Sequence, residues 1–101
     1  MAKDNEVVIK SNSTFLTNPG IILQEESDNW GILYNPDNDL SFSINPVSVF
    51  VWKQLNNNHT VKELETKVKE NFTNVPAEIE GDIMQFLKML LEKDLAVMGS
   101  V

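Results

Sequence analysis

The stretch that decides the fold runs Trp30-Gly31-Ile32-Leu33-Tyr34-Asn35-Pro36, then Leu40-Ser41-Phe42-Ser43-Ile44-Asn45-Pro46, then Val49-Phe50-Val51-Trp52-Lys53-Gln54-Leu55. Its hydrophobic period changes part of the way along. Trp30, Ile32 and Tyr34 fall on one face of an extended segment with Leu33 on the other, and Leu40, Phe42 and Ile44 alternate with Ser41 and Ser43. Alternation of this kind belongs to half-buried strands. Asn35-Pro36-Asp37-Asn38-Asp39 between them is turn chemistry. After Asn45, which can cap a helix, and Pro46, which suits a first turn, Val47, Phe50, Val51 and Leu55 recur at helical spacing.

Working outward, Pro19-Gly20 punctuates the chain and Ile21 to Glu25 reads as a further strand, giving a three-strand antiparallel meander. Asn56-Asn57-Asn58 closes the first helix. Thr60 and Glu63 have the spacing of a capping box, and Val61, Leu64, Val68 and Phe72 form one stripe behind it. Pro76 opens a third helix whose buried face is Ile79, Ile83, Phe86, Leu87, Leu90 and Leu91. The expected helices are 46–56, 61–72 and 76–93, with Phe50, Leu64, Val68, Ile83, Phe86, Leu87 and Leu90 in the core. Leu95-Ala96-Val97-Met98 reads as a terminal strand or an extended tail. Strands first and helices after give an α+β fold, winged helix-turn-helix-like. The main domain spans 19–98. Residues 1–18, apolar only at Val7-Val8-Ile9 in their first part, form a tail or a short extra strand, and 99–101 form a C-terminal tail.

The bulk composition narrows the function. The chain has 101 residues, enough for one domain, and 42% of them are hydrophobic, which excludes wholesale disorder. It contains no cysteine, so disulfides, zinc–thiolate sites and thiol catalysis are excluded. The formal net charge is −7 and there is no arginine. The third helix carries Glu78, Glu80, Asp82, Glu92 and Asp94 against Lys88 and Lys93, so a nucleic-acid-reading role is not expected. No apolar run is long enough for a membrane helix and no export signal is seen, so a cytoplasmic location is expected.

No catalytic constellation emerges. His59 is the one histidine and sits in a polar linker. Asp37, Asp39 and Ser41 begin like a calcium loop, but Phe42 stands where that loop needs glycine and Ser48 where it needs a bidentate glutamate. Glu25, Glu26 and Asp28 lie in a solvated turn. The scattered glycines build no phosphate loop; Gly20 and Gly31 serve backbone geometry. Trp30 and Trp52 read as packing residues. No cofactor, metal or catalysis is expected. A small three-strand meander leaves edge strands, and an edge is a template on which another strand could add.

The ordered series Ile32-Leu33-Tyr34, Asn45, Phe50-Val51-Trp52, Thr60-Val61-x-Glu63-Leu64, Asp82-Ile83-x-x-Phe86-Leu87 and Leu95-Ala96-Val97 resembles the PqqD-like family of peptide chaperones, also called precursor-peptide recognition elements. It covers roughly residues 19–98. Two turns depart from the family pattern, which often has Asp-Gly where this chain has Asn57-Asn58-His59, and Gly where it has Asp94. The resemblance implies a non-catalytic protein that binds the leader of a ribosomally synthesised precursor peptide and presents it to a modifying enzyme, commonly a radical S-adenosylmethionine (radical SAM) enzyme. It implies a leader added to the third strand and resting on the third helix. The expected peptide-binding residues are Asp39, Leu40, Ser41, Phe42, Ser43, Ile44, Asp82, Gln85, Phe86 and Met89. A monomer or a homodimer is expected. The alternative is a winged-helix regulatory or protein-interaction module.

Overall fold

Cap by cap, local sequence sets most element boundaries in the computed structural model, which describes residues 8–99. The element order is β1 (Phe15–Thr17), β2 (Ile22–Glu25), β3 (Gly31–Asn35), β4 (Leu40–Ile44), α1 (Pro46–Gln54), α2 (Val61–Asn71), α3 (Ile79–Glu92) and β5 (Ala96–Met98). β2, β3 and β4 form an antiparallel sheet in that order, and β1 pairs antiparallel with β5 in a separate two-stranded ribbon. The fold is α+β, a three-stranded antiparallel sheet followed by three helices.

The start of α2 shows how completely a helix end can be satisfied. Thr60 Oγ1 accepts the Glu63 amide at 3.1 Å and Glu63 Oε1 accepts the Thr60 amide at 2.8 Å. That backbone hydrogen bond from Thr60 is the main reason the Glu63 carboxyl is held below its ordinary pKa. Its contribution is therefore present above the usual carboxylate range and lost as pH falls through the lowered value. α1 is capped in the same way by Asn45, whose Oδ1 accepts the Ser48 amide at 2.8 Å, with Pro46 at the first helical position.

Six residues among those described have positive φ, namely Asp28, Asn29, Asp39, Asn58, Asn74 and Asp94, and none is glycine. Asn and Asp tolerate this region because their short polar side chains bond locally. Both turns that depart from the family pattern are of this kind: Asn58 (φ 63°) follows the 3₁₀ turn Leu55–Asn57, and Asp94 (φ 59°) follows α3. Around Asp94 the Leu95 amide reaches the Leu90 carbonyl at 2.8 Å and the Asp94 amide reaches that of Leu91 at 3.3 Å, a Schellman close. Asp94→Gly should therefore stabilise the fold by about 0.5–1 kcal/mol, since glycine has no Cβ to strain. Urea titration checks this; a loss of stability would mean that the Asp94 side chain contributes more than its backbone costs.

The core joins Leu33 and Ile44 of the sheet to Val51, Leu55, Leu64, Val68, Ile83, Leu87 and Leu90, with Phe15 and Leu95 closing one end. Gly31 marks a close approach: a Cβ there would lie 2.9 Å from both Leu23 Cδ1 and Val49 Cγ2, so the sheet and α1 meet at that point.

Several expectations need correction. α3 begins at Ile79 rather than Pro76, because the Ile79 amide closes a short turn on the Pro76 carbonyl at 3.2 Å before the first helical bond, from Asp82 to Glu78, forms. α1 ends at Gln54, and Asn58 turns the chain only after the 3₁₀ turn. Phe50 and Phe86 are half-buried rather than core. Phe50 meets Phe72 edge to face, with centroids 5.5 Å apart. Trp52, off the expected stripe, is buried together with Val49, because the short α1 packs against α2 and α3 and buries more than one face. β1 lies within residues 1–18, the segment expected to be a tail or a short extra strand, at a position the sequence did not single out. It brings Phe15 into the core and exchanges hydrogen bonds with Asn56, whose Oδ1 accepts the Thr17 amide at 2.9 Å and whose Nδ2 donates to Thr17 Oγ1 at 2.7 Å. Of Val7-Val8-Ile9, Val7 lies outside the described residues, Val8 is exposed, and Ile9 is half-buried without forming a strand.

Candidate peptide-binding site

β4 is an outer strand, and the hydrogen-bond register shows which of its groups are free. The Glu26 amide donates to the Trp30 carbonyl at 2.7 Å, so this pair is of the hydrogen-bonded kind. Antiparallel pairs alternate between bonded and non-bonded types, and along one strand the backbone groups point alternately to the two sides. Ile32 and Tyr34 therefore turn their backbone groups toward β2, and Gly31, Leu33 and Asn35 turn theirs toward β4. Their partners there are Ile44, Phe42 and Leu40. The remaining β4 residues, Ser41 and Ser43, point both N–H and C=O away from the sheet. Both are exposed, and the one extensive neighbour of β4 among the described elements is β3.

The side chains of β4 are graded along the strand. Ile44 is buried, Phe42 is half-buried and Leu40 is 51% exposed. Ser41 and Ser43 lie on the opposite face of the sheet. The turn before β4 is fixed by Asp39, whose amide donates to the Asn35 carbonyl at 2.8 Å. The Tyr34 hydroxyl donates to the Asp39 carboxylate, and that hydrogen bond raises the pKa of the phenol. The buried Asn35 side chain accepts the Asp37 amide at 2.9 Å and holds the other side of the turn.

Immediately past Ile44 a cleft of about 580 Å³ opens between the start of α1 and α3. Its floor is Val51, Ile79 and Ile83, all buried; Val47, Ser48 and Phe86 are half-buried in its walls; Asn45, Pro76, Asp82 and Gln85 lie at its exposed rim. The chemistry is mixed, an apolar floor beneath the polar Asn45, Ser48, Asp82 and Gln85, of which Asp82 alone is charged. Such a cleft accepts aliphatic or aromatic side chains and favours a cation at its rim. Among the described residues no three His, Cys, Asp or Glu side chains gather into a cluster that could hold a metal ion.

Of the residues expected to form the site, Asp82, Gln85 and Phe86 line this cleft. Leu40 to Ile44 form β4 itself, and Asp39 sits in its turn. Phe42 and Met89 are half-buried against the core and do not line the cleft. Val47, Ser48, Pro76 and Ile79, which do line it, were missed. They come from two segments about 30 positions apart in the sequence, and the one local hint was Asn45-Pro46, which fixes where α1 starts beside the strand edge.

The class is a small α+β domain with an outer strand whose two outward-facing residues leave a backbone edge free, followed at Asn45 by a cleft between two helices. Residues 31–96 match the family described as "Coenzyme PQQ synthesis protein D (PqqD)", and the chain belongs to that family. No curated protein matches the chain. A solved structure described as "TbiB1 in Complex with the TbiA(beta) Leader Peptide" aligns with a TM-score of 0.66 at 18% identity, over 84% of this chain and 96% of that one. At that identity the likeness is one of fold.

Proposed function

We propose that this protein binds the leader segment of a ribosomally synthesised precursor peptide as an added strand on β4 and presents the peptide to a modifying enzyme of the radical SAM class. The observation that carries the reading is the free backbone edge of Ser41 and Ser43 on a strand followed directly by Asn45, which lines the α1–α3 cleft. Main-chain bonds at the edge supply affinity and the cleft supplies selection of a side chain. The family membership and the fold shared with a protein solved with a leader peptide support the same role. The protein's part is binding and presentation; the covalent chemistry belongs to the partner enzyme. No helix among the described residues is long and apolar enough to cross a membrane, and the proposed setting is the cytoplasm.

The test looks for a short open reading frame beside this gene and titrates a fluorescent synthetic peptide covering the N-terminal half of its product. Saturable binding with a Kd below about 10 μM is expected. A flat titration to about ten times that concentration would count against the role.

The competing reading, a winged-helix regulator, fares worse on charge. Glu80, Asp82 and Glu92 lie within α3 with Lys88 as its one cation. Duplex DNA should show no salt-sensitive binding at physiological ionic strength. A tight, salt-dependent mobility shift would favour the regulator.

A further inference from the structure

The described chain begins well before the span matched to the family, which starts at residue 31, and this leading segment has a defined place. The Ser13 carbonyl accepts the Val61 amide at 3.1 Å and the Ser11 carbonyl accepts the Lys62 amide at 3.0 Å. With Thr60 Oγ1 on the Glu63 amide, the first three amides of α2 are all satisfied, two of them by the leading segment. The segment is itself closed by the Ser13 amide on the Lys10 carbonyl at 3.0 Å and the Lys10 amide on Ser13 Oγ at 2.9 Å. This anchoring delivers Ile9, half-buried, onto α3. There Ile9, Met84, Gln85 and Lys88 enclose a mostly apolar notch of about 220 Å³.

Gln85 belongs both to this notch and to the cleft on the other side of α3. The two depressions carry opposite charge at their rims, Asp82 at the cleft and Lys88 at the notch. We infer that the leading segment is a second wall of the peptide site. A bound peptide crosses α3 over Gln85 and places one apolar side chain in the cleft and a second in the notch against Ile9. The charges give that peptide a polarity: a basic residue beside the first anchor, near Asp82, and an acidic residue beside the second, near Lys88. This inference rests on the peptide-binding role proposed above and deepens it, because it assigns sequence selectivity to a part of the chain outside the family's matched span.

The probe is a display library of random linear peptides, selected in parallel on the wild-type chain, on Ile9→Lys and on Lys88→Glu, each first shown to be folded by thermal unfolding. Wild type should yield peptides with two apolar positions, the second flanked by an acidic residue. Ile9→Lys should keep the first position, lose the second and bind wild-type-selected peptides about tenfold more weakly or worse, the loss expected for one unburied aliphatic side chain. Lys88→Glu should exchange the acidic flank for a basic one. If wild type and both variants select the same one-anchor peptides, the second wall is refuted while peptide binding stands. If no variant selects any peptide, or if the selected peptides bind Ser43→Pro as well as wild type, the parent reading of strand addition fails and this inference fails with it.

Discussion

Leu87→Ala is expected to cost about 2–5 kcal/mol of folding stability, the range for a buried leucine that leaves a cavity. Leu87 is 0% exposed at the centre of the inward face of α3. It shares the core with Leu64, also 0% exposed, on α2. Close-packed helices relax only in part around a lost isobutyl group, so the transfer and cavity terms add. Domains of this size hold about 5–15 kcal/mol in total, so the variant would keep a reduced margin or unfold at ordinary temperature. Leu64→Ala should behave alike. Urea unfolding followed by the loss of helical circular dichroism reads both. Losses below about 1 kcal/mol at both positions would mean that the α2–α3 interface does not hold this core together.

Ser43→Pro should reduce affinity for a strand-adding peptide by about 10–100-fold while the fold survives. The Ser43 amide points away from the sheet, so proline deletes a donor that the folded chain itself does not use. The peptide, by contrast, loses one hydrogen bond worth about 0.5–1.5 kcal/mol and meets the proline ring where its own backbone must lie. Ser43→Ala keeps the amide and should bind as wild type does. Phe42→Pro is the converse control. The Phe42 amide faces β3 opposite Leu33, so proline there should damage the sheet. Equal binding by Ser43→Pro and Ser43→Ala would exclude this edge as the contact.

The parts of the fold that were legible in the sequence are those fixed by neighbours in the chain. Asn45-Pro46 and Thr60-x-x-Glu63 announce helix starts because cap and capped amide lie three residues apart. Alternation across 40–44 announces β4. Where within residues 1–18 a strand would fall, and that it would pair with β5, was illegible because each strand has three residues and the partner of Leu16 is Val97. So short a strand is stabilised by tertiary pairing rather than by its own pattern. The start of α3 was misplaced because Pro76 is compatible with both a helix and a turn. At the site, sequence could nominate β4 and one face of α3. It could not show which amides of β4 are free, since that depends on the register against β3. Nor could it show that Val47 and Ile79, from separate helices, face one cleft.

The central claim is that a peptide pairs with the outer edge of β4. Amide exchange by NMR, with and without a saturating leader peptide, tests it residue by residue. The account predicts that the Ser41 and Ser43 amides, open to water in the free protein, become protected on binding, with Asp82, Gln85 and Phe86 shifting and the Leu23 and Glu25 amides on the far edge unchanged. Protection at Leu23 and Glu25 with Ser41 and Ser43 still exchanging freely would contradict it.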